Sequence, residues 1–239
     1  MLSGLGTYFQ NNNSSISKFI MPKQILFLFL SFTIYIGNAQ TNSEATIDQL
    51  VSNYIKELQS RKIDIICVYE DYCIGCVDTY DYASFKKDLC LEDFPNYPIY
   101  IFWKENGNTY LDKISVCFEY SKTISENTFW DVYFLNEKII KNEIVKTYEY
   151  ETFENSKKVT YKISVDHSGH QNFKFIIKDK ITTKEFDSFD LTKIGWDSSK
   201  SNINYEHNIN LKSKLIIDIL EKITSEAEKN NTFKKIKSR

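Results

Sequence analysis

Two cysteines separated by two residues form the most chemically suggestive motif of the chain. The motif, Cys73-Ile74-Gly75-Cys76, follows a nearly continuous apolar run over residues 62–70, which has the pattern of a central strand covered on both faces. A CxxC motif just past a strand can act as a redox site, because a helix N-terminus behind it favours the thiolate of the first cysteine. In that hypothesis Cys73 is the attacking thiol and Cys76 the resolving thiol.

The remaining cysteines leave two further interpretations open. A zinc site would take four thiolates, from Cys73, Cys76, Cys90 and Cys117. The same four residues are candidates for structural disulfides, since exported proteins oxidise their thiols, and four cysteines permit three connectivities. We prefer the structural disulfides and expect no metal, no other cofactor and no catalytic centre. Cys67, inside the apolar run, is the predicted leftover thiol, because a free cysteine behaves as a small hydrophobe.

Histidines and serines give no recognisable catalytic pattern. Asp166, His167 and His170 offer a carboxylate and two imidazoles, but two histidines three positions apart do not make a metal site. We expect these histidines to be ordinary polar surface residues in a loop, and His207 is given no role. No nucleophile elbow supports a Ser/His/Asp triad. With seven glycines in 239 residues, phosphate-cradling loops are absent.

The N-terminal segment has the layout of a secretory signal peptide. An apolar run of twelve residues, 25–36, is preceded by Lys23 and followed by Gly37-Asn38-Ala39. A membrane-spanning helix needs about 20 such residues. We therefore expect cleavage after Ala39 and a mature chain that begins at Gln40 without an integral membrane span.

Two further features of this region bear on the compartment. Met21 is an alternative start, so residues 1–20 are a leader or a mis-assigned start and take no part in the predicted fold. The Gly-Asn-Ala-Gln junction resembles those of exported proteins of Gram-negative bacteria. It predicts a soluble protein of the periplasm, the cell surface or the extracellular space. The residue directly after the cleavage site, Gln40, is not a cysteine, so a bacterial lipoprotein anchor is not indicated.

Charge and composition argue against nucleic acid as a partner. Residues 1–39 contain two lysines and no acid, so the mature chain has 28 bases against 32 acids and a net charge of −4. Its only arginines are Arg61 and Arg239, and guanidinium forks are the usual means of recognising phosphate. The sequence specifies no other partner. About 200 residues fit one domain with a sizeable core.

The firmest structural prediction is a β-hairpin around Asn106-Gly107. An Asn-Gly pair between two apolar runs favours a two-residue type I′ turn. This turn fixes a register whose opposed pairs are Glu105 and Asn108, Trp103 and Tyr110, Phe102 and Leu111, and Ile99 and Ile114. The one poor match in this register sets Ile101 opposite Asp112.

Amphipathic helices are predicted at both ends of the domain. Apolar residues recur at helical spacing from Ile47 to Leu58, behind Ser43. A second stripe, from Leu215 to Ile223, lies in a helix over about residues 211–229. Both helices are expected to pack one face on a core.

A third helix is predicted in the middle of the chain. Thr123 and Glu126 have the spacing of a capping box, ahead of an aromatic stripe made of Phe129, Trp130, Tyr133 and Phe134. The stripe is expected to be core, and the helix to end between residues 136 and 146. Residues 80–89 are expected to form a short helix or an irregular segment.

Alternating polar and apolar residues follow position 145. The alternation over residues 147–191 predicts three or four antiparallel strands with one wet face. Residues 230–239 are expected to be a basic, frayed tail. The predicted fold class is α+β, a single domain over residues 40–239 with an antiparallel sheet of about five to seven strands flanked by an N-terminal and a C-terminal helix.

The order of motifs between Ile63 and Ile140 resembles the thioredoxin fold. A strand, the CIGC motif, a helix, Pro98 before a strand, an Asn-Gly turn, a strand and a helix match its catalytic strand, CxxC motif, cis-proline and terminal hairpin. The resemblance implies a thiol-disulfide oxidoreductase that uses Cys73 and Cys76. The chain departs from the family in spacing, because Pro98 follows Cys76 by 22 residues, where thioredoxins need room for a further strand and helix.

Two functions from different classes therefore stand as expectations. The first is an exported α+β protein with a structural or binding role. The alternative is a thiol-disulfide oxidoreductase. A parallel neighbour of the strand at residues 62–70, with Cys73 at a helix N-terminus, would favour the alternative.

Overall fold

A computed structural model describes residues 46–75, 97–195 and 200–239. The chain divides into two compact units, Met1–Glu44 and Ala45–Arg239, and every described residue belongs to the second unit. The predicted signal peptide and the predicted element at residues 80–89 lie outside the described residues. Among the described helices, none combines the length and the apolar character that crossing a membrane requires.

The second unit contains helices on both sides of the strand-rich part of the chain. Its described helices are α1 (Ile47–Ser60), α2 (Thr128–Asn142), α3 (Tyr205–Ile209) and α4 (Lys212–Lys229). Its described strands are β1 (Ile65–Ile74), β2 (Ile99–Glu105), β3 (Asn108–Ile114), β4 (Phe118–Tyr120), β5 (Thr123–Ser125), β6 (Glu149–Glu154), β7 (Lys157–Lys162), β8 (Ser168–Ile177), β9 (Lys180–Asp187) and β10 (Lys235–Ser238).

Eight of these strands form one antiparallel sheet. Their order is β10-β4-β3-β2-β1-β8-β9, with β5 paired to β3 off this path, and β6 and β7 form a separate hairpin. The predicted α+β class, with helices flanking an antiparallel sheet, is confirmed. The sheet exceeds the predicted five to seven strands because β4, β5 and β10, of three or four residues each, are too short to show an alternating pattern. The prediction of a frayed tail is wrong, because β10 pairs with β4.

β1 is a central strand covered on both faces, as predicted. On one face Ile66 and Val68 pack in a cluster with residues of α1. On the other face Cys67 and Tyr69 pack in a larger cluster with residues of α2 and α4. Cys67 is completely buried and free, which confirms the prediction for this thiol. Two helical layers therefore cover the sheet, one on each side of β1.

The hairpin of β2 and β3 has the predicted register. Trp103 pairs with Tyr110, and their rings stack with centroids 5.5 Å apart. Asn106 and Gly107 have φ angles of 52° and 84°, and a type I′ turn requires positive φ at both positions. Asp112 pairs with Ile101 inside the sheet.

The middle helix begins later than predicted. Thr123–Ser125 is not a capping segment, because it forms β5 against β3, and the helix begins at Thr128 behind Asn127 without a side-chain cap. The proposed capping box is therefore wrong. The aromatic stripe is confirmed as core for its first three members, whereas Phe134 is 45% exposed.

The two end helices are confirmed, with shifts in detail. α1 is capped by Thr46 and Gln49, which form a capping box. Ser43 lies outside the described residues. In α4 the buried stripe is rotated by one position, since Leu215 is 43% exposed and Ile217 is buried. The contact with α2 accounts for this rotation, because α4 packs on both α2 and the sheet.

Candidate functional site

The candidate site lies where β1 extends past the strand on one of its sides. β1 pairs with β2 only as far as Glu70, which is opposite Ile99. On its other side it pairs with β8 as far as Ile74. Residues 71–74 therefore have no strand partner on the β2 side within the described ranges. Pro98, just before β2, has no backbone N–H and cannot extend that ladder.

Two cavities lie beside this unpaired part of β1, and together they are called the cleft below. Their volumes are about 570 and 260 Å³. They share five lining residues, Asp71, Tyr72, Cys73, Tyr97 and Pro98. The larger cavity extends to the C-terminal half of α4, where it is lined by Thr224, Ser225 and Glu228. The smaller one extends to the start of α1, at Ile47 and Asp48.

Asp71 lines both cavities, and its carboxylate lies on the same face of β1 as the side chain of Tyr69. Nε2 of Gln171, on the neighbouring strand β8, lies 3.4 Å from its Oδ2 and donates to it. The same amide lies 3.2 Å from the hydroxyl of Tyr69. Asp71 is open to solvent at the cleft, yet desolvation by the surrounding protein raises the pKa of its carboxyl group above the ordinary value.

A second carboxylate lies across the larger cavity, on α4. Oε1 of Glu228 accepts a hydrogen bond from the hydroxyl of Tyr100 at 2.8 Å. The same oxygen forms an ion pair with Nζ of Lys113 at 2.7 Å. Burial raises the pKa of Tyr100, with the nearby Glu228 adding to the effect, so this hydroxyl remains a donor. The Lys113 ammonium also lies 4.8 Å from the ring centroid of Tyr120. The charge of Lys113 is therefore paired with the carboxylate of Glu228 and neutralises it beside the larger cavity.

The lining of the cleft is acidic and aromatic. Its described members include four carboxylates, those of Asp48, Glu70, Asp71 and Glu228. No lysine, arginine or histidine is among the lining residues that the structure describes. Tyr97 and Tyr100 supply aromatic surface to the larger cavity. The ring of Tyr72, on the opposite face of β1 from Asp71, stacks on His170. The arrangement can hold a partly apolar ligand and favours positive over negative charge.

Cys73 lines both cavities, but its backbone position differs from the prediction. It lies inside β1, opposite Gly169, rather than past the end of a strand. The strands on both sides of β1 are antiparallel to it, so the parallel neighbour that would favour a redox site is absent from the described sheet. Pro98 does lead directly into β2, as the resemblance to thioredoxin implies.

The glycine of the CIGC motif has a local structural explanation. Gly75 has a φ of 69°, and a Cβ atom there would lie 2.7 Å from Cδ2 of His167. Both the left-handed backbone and the close ring disfavour any side chain at this position.

The predicted cysteine chemistry is only partly within the described residues. Cys73 and Cys117 are not free thiols. Cys76 and Cys90 lie outside the described residues, so the disulfide pairing, the four-thiolate zinc site and the redox pair stay predictions. Among described residues, no group of three or more histidines, cysteines or acids is placed to hold a metal ion.

One histidine has a more specific environment than predicted. Ser168 and His170 lie in β8, not in a loop, and Nε2 of His170 is 3.1 Å from Oγ of Ser168. Nδ1 of His170 lies 3.4 Å from Oε1 of Glu185, and its ring stacks on Tyr72. The order serine, imidazole, carboxylate is that of a catalytic triad, but Nδ1 of His170 makes no hydrogen bond to a described residue. However, neither Ser168 nor His170 lines the cleft, and Ser168 is only 8% exposed.

Comparison with known proteins gives no functional assignment. No protein-family model matches the chain, and neither a curated protein nor a solved structure matches it. A binding or catalytic role for this chain must therefore follow from its own residues and their geometry. Sequence reasoning missed Asp71, Tyr100 and Glu228, because no short motif connects residues that meet only through the sheet register and α4.

Proposed function

We propose that the protein is exported and acts as a binding protein, without a catalytic centre, that holds a small ligand in the cleft. The larger cavity, of about 570 Å³, carries this proposal. Small-molecule sites are usually concave spaces of about 300 to 1,000 Å³ with mostly apolar walls and a few convergent polar groups. Here the convergent groups are Asp71, Tyr100 and Glu228.

Fixed positions of the polar groups support a binding role. Tyr100 is held by Glu228 and Asp71 by Gln171, and both Tyr100 and Asp71 belong to regular strands. Polar groups that are already oriented lose little freedom when a ligand arrives, which favours affinity. The signal-peptide layout of residues 21–39 supports export to the periplasm or the cell surface.

Filling the cleft tests this function without knowledge of the natural ligand. Ser225 lines the larger cavity and is exposed on α4, so Ser225→Trp adds a large side chain there without entering the core. Lys222→Trp, at an exposed position on the same helix outside the lining, is the matched control. The probes are benzylamine, benzyl alcohol and benzoate, followed by ligand-observed NMR. We expect at least one probe to bind wild type and Lys222→Trp but not Ser225→Trp. Failure of all three probes to bind, or equal binding to Ser225→Trp, would overturn the proposal.

One observation keeps thiol-disulfide exchange as a second candidate function. Cys73 lines both cavities, so a substrate in the cleft would lie close to this residue. In this candidate Cys73 is the attacking thiol and Cys76 the resolving thiol.

A further inference from the structure

We infer that the ligand of the cleft is a small organic cation, an amine attached to a flat or apolar body. This inference rests on the proposed binding function and names the class of ligand. Four carboxylates line the cleft, and no basic side chain is among the described lining residues. The chain as a whole has nearly balanced charge, with 30 bases and 32 acids, so the imbalance is local to the cleft.

The two carboxylates of the larger cavity differ in whether a described basic residue already neutralises them. Glu228 already receives Lys113 and the Tyr100 hydroxyl on one oxygen. Asp71 receives neutral donors, and it forms no ion pair with a described residue. Because Asp71 is open to solvent, an incoming ammonium group can reach it. Asp71 is therefore the expected anchor of the positive charge.

Aromatic side chains suit the body of such a ligand. Tyr97 and Tyr100 line the same cavity as Asp71. A cation near the face of a tyrosine ring is attracted electrostatically by the ring. Ring faces also accept flat apolar groups, which bury their surface against them. The cleft thus combines the two features used to recognise organic ammonium groups.

Other ligand classes fit the cleft less well. An anion in the larger cavity would meet the carboxylate of Asp71, which forms no ion pair with a described residue, and like charges placed together oppose binding. A neutral ligand would cover Asp71 without replacing the hydration of its charge, which costs free energy. Both comparisons favour a cation over a neutral or anionic molecule of the same shape.

Three aromatic probes of similar size and different charge test this inference. Benzylamine is the cation, benzyl alcohol the neutral isostere and benzoate the anion, each titrated at neutral pH with NMR detection. We expect benzylamine to bind about fivefold more tightly than benzyl alcohol, which corresponds to one exposed charge pair. Benzoate should bind most weakly. Asp71→Asn should remove the preference for benzylamine, whereas Asp131→Asn, the same change at an exposed site on α2, should keep it.

The outcomes separate the ligand class from the binding function. If benzyl alcohol or benzoate binds as tightly as benzylamine, and Ser225→Trp abolishes that binding, the cation inference is overturned and the binding function stands. If Asp71→Asn retains the full preference for benzylamine, the inference is also overturned. If no probe binds to the wild-type protein, the proposed function fails together with the inference.

Discussion

Tyr100 of β2 donates a hydrogen bond to Glu228 of α4, with the two oxygens 2.8 Å apart. The residues are 128 positions apart in sequence, and their contact joins the sheet to the last helix beside the larger cavity. Lys113 of β3 holds the same carboxylate oxygen. The position of α4 over the cleft therefore depends on a polar contact as well as on apolar packing.

Removing the Tyr100 hydroxyl should weaken this connection. Tyr100→Phe deletes one hydrogen bond to a carboxylate, so we expect the free energy of unfolding to fall by about 1 to 2 kcal/mol. Chemical denaturation measures the change. Tyr110→Phe is the matched control, because its ring stacks on Trp103 and its hydroxyl has no hydrogen-bond partner among the described residues. Equal stability of the two variants would show that the Tyr100 contact contributes nothing.

Benzylamine binding should weaken at low pH. Desolvation raises the pKa of Asp71 above its ordinary value, and protonation removes the charge that attracts the ammonium group. The affinity should therefore be full at neutral pH and fall as the pH drops through this pKa, starting at a higher pH than for an ordinary aspartate. Titrations between about pH 4 and 8 measure this dependence. The Asp71→Asn variant should not show this fall in affinity. A fall of the same size in that variant would mean that another group titrates.

Asp112 gives a prediction about stability rather than binding. It is 5% exposed, lies opposite Ile101, and burial raises the pKa of its carboxyl group. Because the pKa is higher in the folded state, the folded chain binds the proton more tightly. Protonation of Asp112 therefore stabilises the folded state. This stabilisation is fully present below the pKa of the unfolded state and is lost as the pH rises through the pKa of the folded state.

Replacing the Asp112 carboxylate with a neutral amide should therefore stabilise the protein at neutral pH. We expect Asp112→Asn to raise the free energy of unfolding at pH 7 by on the order of 1 kcal/mol. The variant should also lose less stability than wild type between about pH 4 and 7. Denaturation curves across this range provide the test. A destabilised variant at pH 7 would mean that hydrogen bonds to the carboxylate outweigh its desolvation.

The hairpin could be predicted in full from sequence, because its register depends only on residues 99–114 and on the turn at Asn106-Gly107. α1 and α4 were predictable for a similar reason, since helical spacing of apolar residues is a local pattern. β5 and β10 were missed because each has only three or four residues and exists through pairing with β3 or β4. Segments of that length are too short to show a hydrophobic periodicity.

The cleft could not be predicted in the same way. It arises because β1 is longer than its pairing with β2, and that difference depends on where Pro98 places the start of β2. Gln171 reaches Asp71 only through the register of β8. Glu228 reaches Tyr100 only through the packing of α4 on the sheet. Each of these contacts joins residues about 100 or more positions apart.

The predicted structural role of Cys73 can be separated from catalysis by its redox behaviour. A structural bridge should resist glutathione buffers, with a potential below about −300 mV, and Cys73→Ser should lower stability by about 2 to 5 kcal/mol. Counting alkylated thiols by mass after equilibration measures the potential. Reduction in the range of about −120 to −270 mV, with insulin-reducing activity that Cys73→Ser abolishes, would instead support the oxidoreductase.

The location of ligand binding is tested most directly by mapping backbone amide shifts of the isotope-labelled protein during a benzylamine titration. The proposal predicts that saturable shifts cluster at residues 71–73 of β1, 169–171 of β8 and 224–228 of α4. It also predicts that Ser225→Trp removes them while the β2–β3 hairpin turn at Asn106-Gly107 remains unaffected in both proteins. Saturable shifts centred elsewhere, or unchanged in Ser225→Trp, would contradict the assignment of the cleft as the binding site.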